Sequence, residues 1–417
     1  MKTVNSTTRF FLFLLCLLLA IGCSEKLDEI ASGTTDNLTW TLSSDGTLTI
    51  GGTGEIPNQV SFPSWGETTF LWSKYRYEIN RVIIGKNISG IGNRALSGHF
   101  NLTSIDVDSN NPLFSSEDGV LFNKSKTILI IYPVGKTGAY TIPNSVTHIG
   151  EGVFEACSSL TSITIPNSVT HIGERVFLNC RDLTSVTIGN SVTLIGNSAF
   201  YNCNGLTSIT IPNSVTSIEN NAFLGCSSLI SVTLGSSVTS ISDWAFLYSN
   251  NLTSIDVDNN NPVLSSEGGV LFNKTKTTLI RYPEGKTGAY TIPNSVTSIE
   301  NNAFAGCNSL TSVTIGNSVS FIGNFAFYMC RNLTSVNIPS SVTYIEDGAF
   351  SLCISLAEII NESVTPQMIQ LYLPNSVANV FHSVNKPAAT LRVSSEAIEA
   401  YRAAIVWQDF GNIVAIE

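Results

Sequence analysis

Apolar positions along most of this chain recur at a fixed interval. In Leu160-Thr-Ser-Ile-Thr-Ile165, Ile163 and Ile165 alternate with Ser162 and Thr164, the period-2 pattern of a strand with one dry and one wet face. Pro166-Asn-Ser168 then turns the chain, because proline fixes its own φ and donates no hydrogen bond, while asparagine and serine bond back to nearby backbone. Val169 and Ile172 point inward again, Gly173 supplies a bend, and Val176-Phe177 with Cys180 closes the coil against Leu183. The phrase is 23 residues long and recurs with drift from Ile79 to Ser355. Phenylalanine keeps one phase at Phe154, Phe177, Phe200, Phe223, Phe246, Phe304, Phe327 and Phe350. Such a period predicts a solenoid, in which each turn seals the next. A lone turn has too few inward side chains to offset about 1–2 kcal/mol of backbone entropy per ordered residue, so stability is expected to belong to the array.

Nine repeats have 23 residues and two have 35. The long ones, 102–136 and 252–286, are near copies offset by 150: Asn101-Leu-Thr-Ser-Ile-Asp-Val-Asp108 matches Asn251-Leu-Thr-Ser-Ile-Asp-Val-Asp258. Each adds a Gly-Val-Leu-Phe-Asn-Lys run, at Gly119 and Gly269, and a second apolar run ending in Tyr132-Pro133 or Tyr282-Pro283, which together predict a hairpin protruding from the coil. Upstream, 37–42 and 46–50 read as a hairpin. The aromatics of Pro63-Ser-Trp65 and Trp72-Ser-Lys-Tyr75 then cover the open end of the stack or, alternatively, form a ligand platform. Downstream, Leu371-Tyr-Leu-Pro374 and Thr390-Leu-Arg-Val393 read as last strands. Ser394 or Ser395 is placed to cap a short helix with the apolar face Ile398, Tyr401 and Ile405. The expected organisation is a signal peptide at 1–22, a tether at 23–36, an N-terminal β cap at 37–78, the solenoid at 79–355 and a C-terminal cap at 356–417.

Charged residues make up only 12% and the net charge is -10, with no basic stripe, so nucleic acid is not expected as a partner. Lys2 and Arg9 followed by the apolar Phe10–Ala20 form a secretion signal. Its end, Leu19-Ala-Ile-Gly-Cys23, resembles a bacterial lipoprotein box. That resemblance implies lipidation of Cys23, which would become the mature N-terminus and attach the chain to the membrane; the alternative is a soluble secreted protein. Ser24-Glu-Lys-Leu-Asp-Glu29 is similar to the acidic tethers of surface-exposed lipoproteins, which implies the outer membrane and the cell surface.

No catalytic signature is visible, and no enzyme activity or cofactor is expected. The repeat cysteines, among them Cys180, Cys203 and Cys330, share one phase, where parallel Cβ vectors suit a buried thiol ladder better than disulfides. No second ligand type joins them in phase, so no metal is expected there. Of the four histidines only His148 and His171 share a phase, at a position otherwise exposed and variable, which leaves an edge metal pair as the lesser reading. Asp106, Asp108, Asn110 and Glu117, repeated as Asp256, Asp258, Asn260 and Glu267, match four positions of a calcium loop, but Asn111 or Asn261 stands where that loop has glycine. The binding candidate is the outward row Ser162, Thr164, Ser185, Thr187, Ser208, Thr210, Ser231, Thr233, Ser312 and Thr314. Uncharged hydroxyls offer donors and acceptors without the desolvation cost of ions; a solvent-facing ladder explains the same residues.

The Ile-Pro-Asn-Ser-Val-Thr-x-Ile phrases (165–172, 211–218, 292–299), the Ala-Phe-x-x-Cys phrases (222–226, 303–307) and the Asp-Gly-Val-Leu-Phe-Asn-Lys island at Asp118 resemble the BspA-like leucine-rich repeat family of bacterial surface proteins. The resemblance runs from about Leu38 to the end. It implies a leucine-rich repeat β-solenoid of right-handed stacked turns, one strand per 23-residue repeat, with an N-terminal β cap and a short helical C-terminal cap. It also implies a non-enzymatic surface module: an adhesin for a host matrix or cell-surface protein, with glycan capture and a passive spacer as alternatives.

Overall fold

The computed structural model describes residues 28–58, 72–92, 95–369 and 379–417. The signal segment, Cys23, Pro63–Trp65 and Leu371–Pro374 lie outside the described residues. Each repeat supplies the expected strand, and within each of several successive sheets the strands pair in parallel with repeat-to-repeat register: Ile163 faces Val186, and Ile209 faces Val232, which faces Ile255. Beside this ladder runs a second one that sequence reading did not separate. His171–Ile172, Leu194–Ile195, Ser217–Ile218 and Ser240–Ile241 are two-residue strands, also parallel. The Pro-Asn-Ser turns join the two ladders. In them Asn167 and Asn213 each accept the backbone N–H one repeat ahead, at Asn190 and Ser236.

Between the ladders lies a continuous aromatic stack. Phe154, Phe177, Phe200, Phe223 and Phe246 have successive centroid separations of 5.0, 5.0, 5.1 and 5.5 Å, and all are buried. A second stack runs Tyr282, Phe304, Phe327, Phe350, Phe381 and ends against Trp407. The tyrosines ending the second apolar run of each long turn enter this phase, Tyr132 against Phe154 at 4.8 Å and Tyr282 against Phe304 at 5.0 Å.

The long turns depart from expectation. The expected antiparallel hairpins, Val120–Asn123 with Ile128–Ile131 and Val270–Asn273 with Thr278–Arg281, are present, and a preceding strand, Phe114–Glu117 or Leu264–Glu267, pairs on the other side of the first run. That first run, however, is turned inward instead of protruding. Val120, Leu121 and Phe122 are fully buried, and Val270, Leu271 and Phe272 nearly so. A strand apolar at every position can be dry on both faces. Leu121 packs into the core of the first turns while Val120 and Phe122 pack into the next; Leu271 and the pair Val270/Phe272 divide in the same way. Each island is therefore a septum between two apolar compartments.

Beside the second septum Arg281 and Glu284 form a buried ion pair at 2.7 Å. Arg281 also donates to Asn302 O at 2.7 Å, and Glu284 accepts from Tyr248 N at 3.0 Å. Their counterparts in the first long turn are Ile131 and Val134.

Two terminal expectations change. Glu29–Thr35, placed in the tether, is a strand paired antiparallel to Leu38–Ser43, with Gly33 so close to the Trp40 ring that a Cβ there would clash. Leu38–Ser43 pairs in turn with Thr47–Gly52, the first strand of the parallel ladder. Trp72 is buried beside Trp40, their centroids 6.1 Å apart, so it seals the stack and is no ligand platform. At the other end Thr390–Val393 and Asn412–Ala415 continue the main ladder. Helix Ile398–Ala403 starts with Ala397 as its N-cap and no side-chain cap bond; the turn closed by Ala397 N to Ser394 O leaves neither Ser394 nor Ser395 at the capping position.

Replacing Phe223 by alanine removes one ring from mid-stack and should cost about 3–5 kcal/mol, read as a lowered urea midpoint; an unchanged midpoint would dissolve the spine as a stabilising element. A second expectation concerns pH. Burial pushes the Glu284 carboxyl up to about 7, against the pull of Arg281. The folded chain then holds that proton more tightly than the unfolded chain, so this group removes stability as pH rises from about 4.5 towards about 7. Wild type should lose melting temperature relative to Glu284→Gln across that window and hold a constant offset above it. Parallel melting curves at all pH values would contradict the linkage.

Candidate binding face

The outward row is set by the pleat of the main ladder: Ile163, Ile209, Val232 and Val313 are buried, so their neighbours face solvent. Ser162 and Thr164 lie beside Ser185 and Thr187, and Ser208 and Thr210 beside Ser231 and Thr233. Regular pairing lapses between Ser185–Thr187 and Ser208–Ile211, which belong to separate sheets. Ser312 and Thr314 stand beyond the second long turn, against Ser335 and Asn337. The ten residues thus share one face in three segments. Asp256 continues the line of Thr210 and Thr233 and accepts a hydrogen bond from Ser254 at 2.7 Å. Ion pairs flank the face, the exposed Arg81–Asp106 at 2.7 Å and the half-buried Arg392–Glu358 at 2.6 Å.

Not all hydroxyls in the repeats are equivalent. Thr184, Thr253 and Thr334 donate to the carbonyls of Thr161, Ile230 and Thr311 one repeat back, and Thr193, Thr216 and Thr239 do the same on the second ladder. Those hydroxyls serve the fold. The ten row hydroxyls make no intramolecular hydrogen bond among the described residues, so a partner meets them unpaired. Thr187, Thr210, Thr233 and Thr314 are exposed, Ser162 and Ser312 half-buried.

The cysteine phase also has a structural use. The thiols of Cys180, Cys203, Cys226, Cys330 and Cys353 point at the carbonyls of Phe154, Phe177, Phe200, Phe304 and Phe327 at 3.0–3.2 Å. Ser249, in the same phase, donates to Phe223 O at 3.3 Å. The position calls for a small donor that can be buried, which cysteine satisfies. All seven described cysteines are free and buried, and burial raises the pKa of Cys157, Cys180, Cys203, Cys226, Cys307 and Cys330.

The calcium-like turns are occupied otherwise. Asp106 is held by Arg81, and Glu117 by Lys126 at 2.7 Å. Lys124 Nζ donates to Ser109 O and Asn111 O, an ammonium serving turn carbonyls that a cation would need. Buried Asn111 donates to Gly85 O and Ile88 O while accepting from Leu113 and Phe114 N–H, and Asn261 repeats the pattern. Its side chain therefore bridges turns, a role the spacing did not reveal. His148 and His171 are exposed, each with Nδ1 on the preceding threonine hydroxyl. No group of three or more metal-capable side chains occurs among the described residues.

A family model for the BspA type leucine rich repeat region matches in six copies, over residues 73–207, 132–253, 170–290 and 281–373. Among solved structures, a leucine rich cell surface protein of Faecalibacterium prausnitzii is 26% identical, with a TM-score of 0.54 over 94% of this chain and 96% of that one. A leucine-rich repeat protein of Bacteroides ovatus is 19% identical, with a TM-score of 0.43 over 92% and 100%. No curated protein matches.

The thiols should stay silent to Ellman's reagent in the folded chain from Ser24 onward, and seven should react once it is denatured; disulfide-linked peptides in a mass map would overturn the ladder.

Proposed function

The chain belongs to the BspA type leucine-rich repeat proteins, and on that footing we propose that it is a non-catalytic binding module at the bacterial cell surface, adhering to a host or neighbouring-cell protein through its main-ladder face. The observation that carries this reading is the row of hydroxyls, in register within each of its segments and left unpaired within the chain, whose own ten positions bear no charge. A partner gains hydrogen bonds there at little desolvation cost. The ladder fixes their spacing before contact, which lowers the ordering cost of binding. Glycan capture is the second reading for this face, but the ten row positions carry no aromatic ring. Cys23 supplies the attachment: a diacylglyceryl thioether and an amide-linked acyl chain give the two apolar anchors that stable membrane residence requires. Display at a surface then lets weak contacts add through multivalency.

The test is to pan the chain from Ser24 onward against immobilised matrix proteins, with Thr187→Arg and Thr210→Arg as blocked variants. These exposed changes should leave melting unaltered and weaken capture about tenfold or more. Undiminished capture by both would move the contact to another face. In cells, Cys23→Ser should release the protein or stall its processing; continued partition with membranes after a carbonate wash would remove the lipid anchor.

A further inference from the structure

One repeat phase, the residue after the cysteine position, is polar or small in most turns: Ser158, Arg181, Asn204, Ser227, Asn250 and Asn308. In the first turns it carries Tyr77 and Phe100, which are 58% and 51% exposed. Being consecutive equivalents they stack, with centroids 6.3 Å apart and planes at 26°, and Arg76 lies 5.1 Å from the Tyr77 ring. The next occupants of the phase are Gly135 and Ser158, too small to continue the stack, so Phe100 borders an open cleft of about 580 Å³. Its wall also includes Glu78, Asn80 and Asn101.

The polar groups there are acceptors beside Phe100, with the Ser158 and Ser159 hydroxyls, which can donate or accept, on the same wall. Asn80 Nδ2 is spent on Asp45 O at 2.7 Å and Asn101 Nδ2 on the carbonyl of Tyr77. Their Oδ1 atoms and the Glu78 carboxylate have no intramolecular donor among the described residues. A polypeptide brings as many carbonyls as N–H groups, and only the Ser158 and Ser159 hydroxyls would be left to donate to those carbonyls. A pyranose brings hydroxyl donors around a C–H face that packs on an aromatic ring. Arg76 already holds the cation position on Tyr77. Nor does the long turn require the rings: the second copy has Ser227 and Asn250 at these places, and in place of Val134 it has Glu284, buried with Arg281.

The geometry points to a saccharide subsite at the Tyr77–Phe100 cleft, taking a neutral pyranose with its ring against Phe100 and its hydroxyls on Asn80, Asn101 and Glu78. It is separate from the main-ladder face and stands whether or not that face binds protein. The chain from Ser24 onward is applied to an array of neutral oligosaccharides (cello-, malto-, manno- and galacto-series) beside Phe100→Asn and Tyr77→Ser, which install the second copy's residues. The expected result is binding by wild type to at least one neutral series. Phe100→Asn should weaken it about tenfold or more with melting unchanged, and Thr187→Arg should leave it intact. Absence of any neutral glycan signal, or a signal that survives both ring substitutions, overturns the subsite. Loss of capture of a matrix protein in Phe100→Asn without glycan binding overturns it as well and makes the cleft a protein contact.

Discussion

Each turn of this chain is incomplete without the next. The backbone N–H and C=O groups of one repeat find their partners 23 residues away, as with Thr184 N to Thr161 O and Thr216 N to Thr193 O, and its apolar side chains are dry only when another turn lies on either side. That constraint explains why so many side chains hold a fixed phase. Asparagine at the turns, threonine at the strand entries and the buried thiols all do the same job, tying one repeat's polar group to a neighbour's backbone. The phenylalanine column fills the space those bonds enclose.

The same constraint explains the islands. A uniform stack would run as one core, but Val120–Asn123 and Val270–Asn273 cross it and send alternate side chains into compartments on either side. The two septa are not identical in what surrounds them. Ile131 and Val134 leave apolar walls near the first, whereas Arg281 and Glu284 close the corresponding space near the second with a buried pair. Such a pair is weak evidence for added stability, because desolvation offsets much of its attraction.

How much of this could be read from residues alone depended on repetition. The Leu, Phe and Cys columns are sampled many times, so drift at one position does not hide the phase, and the solenoid was plain. Val120-Leu121-Phe122 occurs in only two copies, and a short apolar run does not say whether it caps a projecting hairpin or divides a core; its burial on both faces needed the structure. The hydroxyls show another limit. Thr184 and Thr187 are the same residue type three positions apart, yet one is bound to a backbone carbonyl and the other is free, a difference of phase that composition cannot express. Tyr77 and Phe100 were legible in principle, as aromatic side chains in a phase that most other turns leave polar or small. Asn111 was not: its buried amide completes a turn whose spacing resembles a cation loop.

The septa have a consequence for how such a chain can change in length. The segments around Leu102 and Leu252 are 150 residues apart and nearly identical in sequence, so the strand that enters one septum matches the strand that enters the other. An exchange between them would insert or delete one whole interval, wall to wall, and every remaining compartment would still be bounded by a septum or an end. The interval between the septa is thus a pre-packed unit of length, and the join it would make differs from the native ones chiefly where Glu284 takes the Tyr248 N–H.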